Sequence, residues 1–220
     1  MRAFFSVAAN ALHWRSTKHP VRNMNQAAGN ALSHHFLTMA YNNAWANFRL
    51  AKACLQLSQE DYERERTSFF PSVRSTLNHI LKVDWIYVDG MEREAKGEPP
   101  HPNYREFLAD PEPCATAQQW RSEQAKVDQR LIDYCQGLQD ADMGRIVSYQ
   151  RADGAVREPR NRLLAHVFQH QIHHRGQVHA MLSGTPVAPP QLDDFFRATD
   201  AEYRAADFAE LGWSEAGIWS

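Results

Sequence analysis

The residues best placed to do chemistry are histidines. Five of the eleven in this 220-residue chain lie between His166 and His179. His166, His170 and His174 follow one another at i, i+4, so on a helix they form a ladder along one face, each about 6 Å from the next. Two imidazoles one turn apart can share a metal ion. The spacing does not say which two, nor does it separate a metal pair from packing histidines whose ring nitrogens bond neighbouring groups. A metal site also needs a third protein ligand from elsewhere in the chain, with a coordination position left open if the site is catalytic.

These histidines need a helix to hold them. Leu163, Leu164, Val167, Phe168, Ile172, Val178, Met181 and Leu182 recur at helical spacing. Pro159 suits a helix start and Gly184 a C-terminal cap, so the pattern predicts one long helix from Arg160 to Ser183. Upstream, Leu37, Ala40, Tyr41, Ala44, Trp45, Phe48, Ala51 and Leu55 mark an amphipathic helix within Asn30 to Leu57. Val73, Leu77, Ile80, Leu81, Trp85 and Val88 carry a second, capped by Ser68 or Ser72 and fading near Gly97, with His79 beside its apolar stripe. A proline-rich crossover over residues 98–115 leads to a third, about Thr116 to Gly137, whose buried side takes Trp120, Ala125 or Val127, Leu131, Ile132, Tyr134 and Leu138. Asp153-Gly154 between alternating residues signals a tight hairpin just before the histidine helix. The fold expected is all-α: a four-helix bundle with a long crossover, a small hairpin before the fourth helix and a C-terminal helical extension. Facing helices of such a bundle place ligands in its core.

Composition narrows the function classes. A hydrophobic content of 43% fits one globular domain, and the formal net charge of -2 gives no basic field for nucleic acid. No apolar run is long enough for a membrane span. Cys54, Cys114 and Cys135 lack zinc-ribbon spacing, which argues for free thiols in a reducing compartment, the cytoplasm by default. No acid precedes Glu60, and residues 1–24 superficially resemble a transit peptide. They are expected to be a disordered extension, with Met24 an alternative start. The tail over residues 191–220 is acidic and aromatic, and Asp200 to Leu211 is expected to be a docked helix.

Three separated segments then carry a resemblance. Tyr41 to Leu50 (YNNAWANFRL), Ser72 to Leu81 (SVRSTLNHIL) and His166 to Val178 (HVFQHQIHHRGQV) resemble, in order, the first-, second- and fourth-helix motifs of the DinB family. The likeness runs from about Asn25 to Pro190, the bundle domain of residues 25–190. It implies a divalent metal held by one histidine of the second helix and two of the fourth, four residues apart. Carried over residue by residue, those ligands are His79, His170 and His174. His166 and His173 then become supporting or packing residues, and Gln177 reaches the site from three residues beyond His174. The resemblance further implies a homodimer, and it includes thiol-dependent transferases and isomerases that use bacillithiol or mycothiol.

Three neutral imidazoles leave a metal's full charge to act on water or on a thiolate. Gln171 stands where His-Glu-x-x-His proteases place a general base, which disfavours peptide hydrolysis of that kind. Asp84, five residues beyond His79, falls on a different side of the helix and reads as structural. Two function classes follow. One is a metal-dependent enzyme, a transferase using a low-molecular-weight thiol or a hydrolase, acting on a small-molecule substrate. The other is a non-catalytic metal-binding stress-response protein. Imidazole ligands suit zinc or nickel foremost, with iron or manganese as further candidates.

Overall fold

The computed structural model describes residues 30–151 and 153–219. The expectations placed on residues 1–24, a disordered extension and a start at Met24, lie outside the described residues. Four long helices form the body: α1 (Ala31–Cys54), α3 (Val73–Lys96), α4 (Ala117–Gln136) and α5 (Arg160–Leu182). A short α2 (Gln59–Glu63) follows α1, strands β1 (Ile146–Arg151) and β2 (Gly154–Pro159) precede α5, and α6 (Ala201–Leu211) and α7 (Glu215–Trp219) end the chain. Both α1 and α3 pack against α4 and α5, which closes a four-helix bundle.

Local chemistry sets the helix limits. Ser72 Oγ accepts from the Ser75 N–H while Ser75 Oγ accepts from the Ser72 N–H, and Thr116 and Gln119 repeat this reciprocal cap on α4. Gly97 ends α3 in the left-handed region at φ 70°, which a side chain would resist. At the end of α5 no left-handed residue is used: Ser183 is still helical, and the Gly184 N–H closes onto the Met181 carbonyl. On α4 the core takes Val127 and leaves Ala125 exposed. On α3 it takes Tyr87 where Trp85 was expected, and Trp85 is half-buried.

The hairpin pairs Ile146 with Pro159 through to Arg151 with Gly154 and lies across α3. Gly90 makes that approach close, because a Cβ there would sit 3.0 Å from Tyr149 Cβ. Tyr149 meets Tyr87 edge-on at 5.1 Å, so the hairpin also covers the second half of α3.

The tail docks. Phe195 is fully buried 5.6 Å from the Trp45 ring of α1, and Phe208 packs into the same cluster. Arg49 pairs with Asp207, and Lys52 with Glu210 at 2.7 Å, tying α6 to α1. Cys54, Cys114 and Cys135 are all free and buried. No helix among the described residues is long and apolar enough to cross a membrane.

Candidate metal centre

The core positions of α3 and α5 bring their histidines together. Leu77, Ile80 and Leu81 pin α3, and Val167, Phe168 and Val178 pin α5. His79 and His170 thereby reach the partly exposed seam between the helices, while His174 is buried one turn on. His79 Nε2 lies 3.0 Å from His170 Nε2. One ring nitrogen from each of His79, His170 and His174 falls within 4.8 Å of the others. Tetrahedral zinc sites with bonds of about 2.0–2.1 Å hold their ligand nitrogens about 3.4 Å apart, so this donor set can hold a metal ion with small side-chain adjustments.

The surrounding contacts sort the remaining histidines. His174 Nδ1 donates to Gln177 Oε1 at 2.7 Å, which leaves Nε2 bare and faces it to the cluster. Gln177 Nε2 in turn donates to His173 Nε2 at 3.2 Å, so exposed His173 supports the orienting residue and is outside the three-histidine group. His166 is also outside it: its Nε2 bonds the Tyr87 hydroxyl at 3.2 Å, and its ring lies 6.1 Å from that of His170. His179 bonds the Pro190 carbonyl. His170 Nδ1 is buried without a partner among the described residues, so the state of that ring is decided at its Nε2.

No carboxylate among the described residues belongs to the group. Burial, reinforced by His174 and Lys82, lowers the His79 pKa to about 4. Burial and the neighbouring rings His174, His79, His166 and His173 lower that of His170 to about 3. His174 is lowered as well, chiefly by burial, against an opposing hydrogen bond to Gln177. Three crowded imidazoles with no acid among them resist protonation, whereas neutral rings can share one dication. An unfolded or isolated imidazole is half protonated at about 6.5, whereas His79 and His170 reach that point only at about 4 and about 3. Metal affinity should therefore be retained as the pH falls from about 7.5 through 6.5, with the loss beginning only at a lower pH set by whichever of the three rings is depressed least. A chelator-competition titration across that range checks this, and a decline centred near 6.5 would show solvent-like imidazoles.

A model of the DinB family matches residues 24–206, most of the chain. The chain belongs to the DinB family. It is 24% identical over 163 residues to Protein DinB of Bacillus subtilis (strain 168), a match covering 73% of this chain and 92% of that protein. A solved DinB-like protein from Bacillus cereus ATCC 10987 matches with a TM-score of 0.49 and 18% identity, covering 67% of this chain and 90% of the other.

In this DinB-family chain two site features escaped sequence reasoning. The first is Phe70, in the connection before α3, whose ring lies 4.3 Å from that of His79 and 5.6 Å from that of His174. It closes one side of the centre, and Phe69 stands beside it largely exposed. An aromatic pair before a capped helix start was the available signal. The second is a buried polar layer behind the histidines. Gln171 donates to Asp84, Gln124 donates to both Asp84 and Asp128, and Asn43 and Asn47 also donate to Asp128. Arg175 donates to Asn47 and Gln171 at 3.1 Å each. Asp84 is thus structural, as its helix position suggested, but its partners come from α4 and α5.

Proposed function

We propose that the chain is a divalent-metal-dependent enzyme whose ligands are His79, His170 and His174, and that it transfers a low-molecular-weight thiol onto a small electrophile. The observation that carries this reading is the convergence of three neutral imidazoles at a partly open seam with no fourth protein ligand in the group. A bound divalent cation would supply Lewis acidity, holding a thiol as its thiolate at neutral pH. The chain's own part is to orient and to exclude. Gln177 fixes the His174 tautomer, Phe70 shields one flank from water, and the exposed Phe69 offers an apolar lip to an electrophile. Zinc or nickel fits the all-nitrogen set best on the general affinity order, with iron and manganese weaker. The family likeness supports a homodimer, which sedimentation checks against the 25.3 kDa chain mass, and the free Cys54, Cys114 and Cys135 support a cytoplasmic setting.

The deciding experiment loads metal-free protein with Zn²⁺ or Ni²⁺ and screens bacillithiol, mycothiol, glutathione and cysteine against an aryl halide and an epoxide. The expected result is a metal-dependent rate at least about a hundredfold above the metal-free protein, the scale that positioned acid-base or electrostatic groups supply. Stoichiometric metal without turnover for any thiol would support the non-catalytic, metal-binding stress-response reading instead.

A further inference from the structure

Two cavities, of about 260 and 220 Å³, sit beside the hairpin on α3, and Tyr87 and Arg151 line both. The larger is an apolar slot. Val83 and Ile86 come to it from α3, and Tyr104 and Leu108 from a single 3₁₀ turn in the crossover. Leu108 is 44% exposed, a large apolar side chain held at the lip of the slot. The smaller cavity is polar, with Glu158 and Arg162 beside exposed His166. Together they continue the seam that holds the histidine centre. Val83 follows His79 by one helical turn, about 6 Å along the same face of α3, and the His166 ring lies 6.1 Å from that of His170.

Arg151 brings an uncompensated charge to both cavities. Strand alternation puts Val147, Tyr149 and Arg151 on the face of the hairpin that covers α3. Val147 and Tyr149 are buried, and Arg151, at the strand end, is exposed. Its guanidinium makes no side-chain hydrogen bond or ion pair among the described residues, and the Glu158 carboxylate that shares the polar cavity lies 3.9 Å from Arg162 instead. Burial raises the Tyr87 and Tyr149 phenols, Tyr149 to about 12, and Arg151 is the charge that opposes the rise at both rings, which sets its head beside them. The two cavities thus hold two guanidiniums against one carboxylate. A guanidinium at the end of an apolar slot offers a carboxylate two parallel N–H donors.

We propose that the slot and Arg151 form the electrophile subsite of the histidine centre, and that they take a small organic acid: an aromatic or branched apolar body carrying a carboxylate. The carboxylate pairs with Arg151, and the body lies against Val83, Ile86 and Leu108. Tyr87 stands two turns, about 12 Å, beyond His79, so an acid held at Arg151 reaches the centre with its opposite end. A polar thiol gains nothing from the apolar walls, which assigns the slot to the other reactant. That assignment to the electrophile rests on the transferase reading above, whereas the acid-binding slot itself does not.

The test titrates 3-phenylpropionate and its uncharged amide, 3-phenylpropanamide, into the full-length, metal-loaded protein, followed by calorimetry and ligand-observed NMR. The acid should saturate and bind at least about tenfold more tightly than the amide, the scale of one charge-assisted contact. Arg151→Gln should weaken the acid about tenfold and leave the amide unchanged, with metal content retained. Leu108→Glu, at an exposed position, should weaken the acid by a similar factor, because it sets a like charge at the lip. His170→Ala should still bind the acid, which separates the slot from a carboxylate ligating the metal. With a thiol and a carboxylate-bearing electrophile, Arg151→Gln should raise KM for the electrophile about tenfold at little changed kcat. Acid binding without any turnover would overturn the transferase reading and leave the slot standing. The slot is overturned if the acid fails to saturate by about 10 mM, a weaker affinity than a formed pocket gives, if the amide binds equally well, if Arg151→Gln or Leu108→Glu keeps the wild-type affinity, or if His170→Ala abolishes binding.

Discussion

Replacing His170 by Ala should leave purified protein with less than about a tenth of the wild-type metal, at unchanged helix content. The expectation rests on how few donors the site has. The three rings converge with no carboxylate or thiol among the described residues in their group, so no further ligand is at hand to replace a lost imidazole. His79→Ala and His174→Ala should behave alike. A graded set of controls distinguishes this centre from a generally metal-binding, histidine-rich helix. Gln177→Leu removes the acceptor that fixes the His174 tautomer and should weaken binding by about 10 to 100-fold. His166→Ala should cost less than Gln177→Leu, because the His166 ring is engaged by Tyr87. His173→Ala and His179→Ala should retain the metal. Equal losses across all of these variants, read by metal analysis after dialysis, would mean that no defined three-histidine site exists.

The second large effect is on folding. Arg175→Met should lower the unfolding free energy by about 3–5 kcal/mol, the cost of leaving buried charge uncompensated. Arg175 is 4% exposed, and it is the counter-charge for Asp84 and Asp128 across the buried amide layer. The pH dependence supplies the discriminating sign. Both carboxyls have raised pKa values, about 7 and about 6, so the folded state takes up protons there before the unfolded state does. Their neutral forms need no counter-charge. The deficit of the variant should therefore be largest above about pH 7 and shrink towards about pH 5. Urea unfolding at both pH values reads it. A deficit independent of pH would assign the effect to lost packing of the Arg175 stem.

Much of the architecture was legible because it is locally encoded. Ser72, Gly97 and Thr116 act where sequence position placed them, and the hairpin lies where Asp153-Gly154 signalled it, although Gly154 is the first residue of β2, paired with Arg151, rather than part of the turn. The expected tail helix from about Asp200 to Leu211 is α6, and the family expected from three motifs is the one whose model matches residues 24–206. The histidine ladder was visible in its spacing, but His79 was not. Nothing in the i, i+4 pattern of α5 identifies the partner helix, and only the family likeness supplied it before packing brought its ring to His170. The polar layer was illegible for a related reason. Asn43 and Asn47 sit on the predicted core side of α1, where polar residues read as breaks in the stripe, and they are buried because Asp128 and Arg175 arrive from helices far away in sequence. Helix α2, capped by Ser58, is too short for its period to be seen in a charged stretch.

The central claim is that three imidazoles hold one divalent ion and leave a position open. X-ray absorption at the zinc edge of stoichiometrically loaded protein tests it most directly. The expected shell has three histidine nitrogens at about 2.0–2.1 Å with an oxygen ligand from solvent, the oxygen being replaced by a sulfur at about 2.3 Å when a low-molecular-weight thiol is added. Failure to take up zinc, nickel, iron or manganese at neutral pH, or a shell with fewer than three imidazoles, would contradict it.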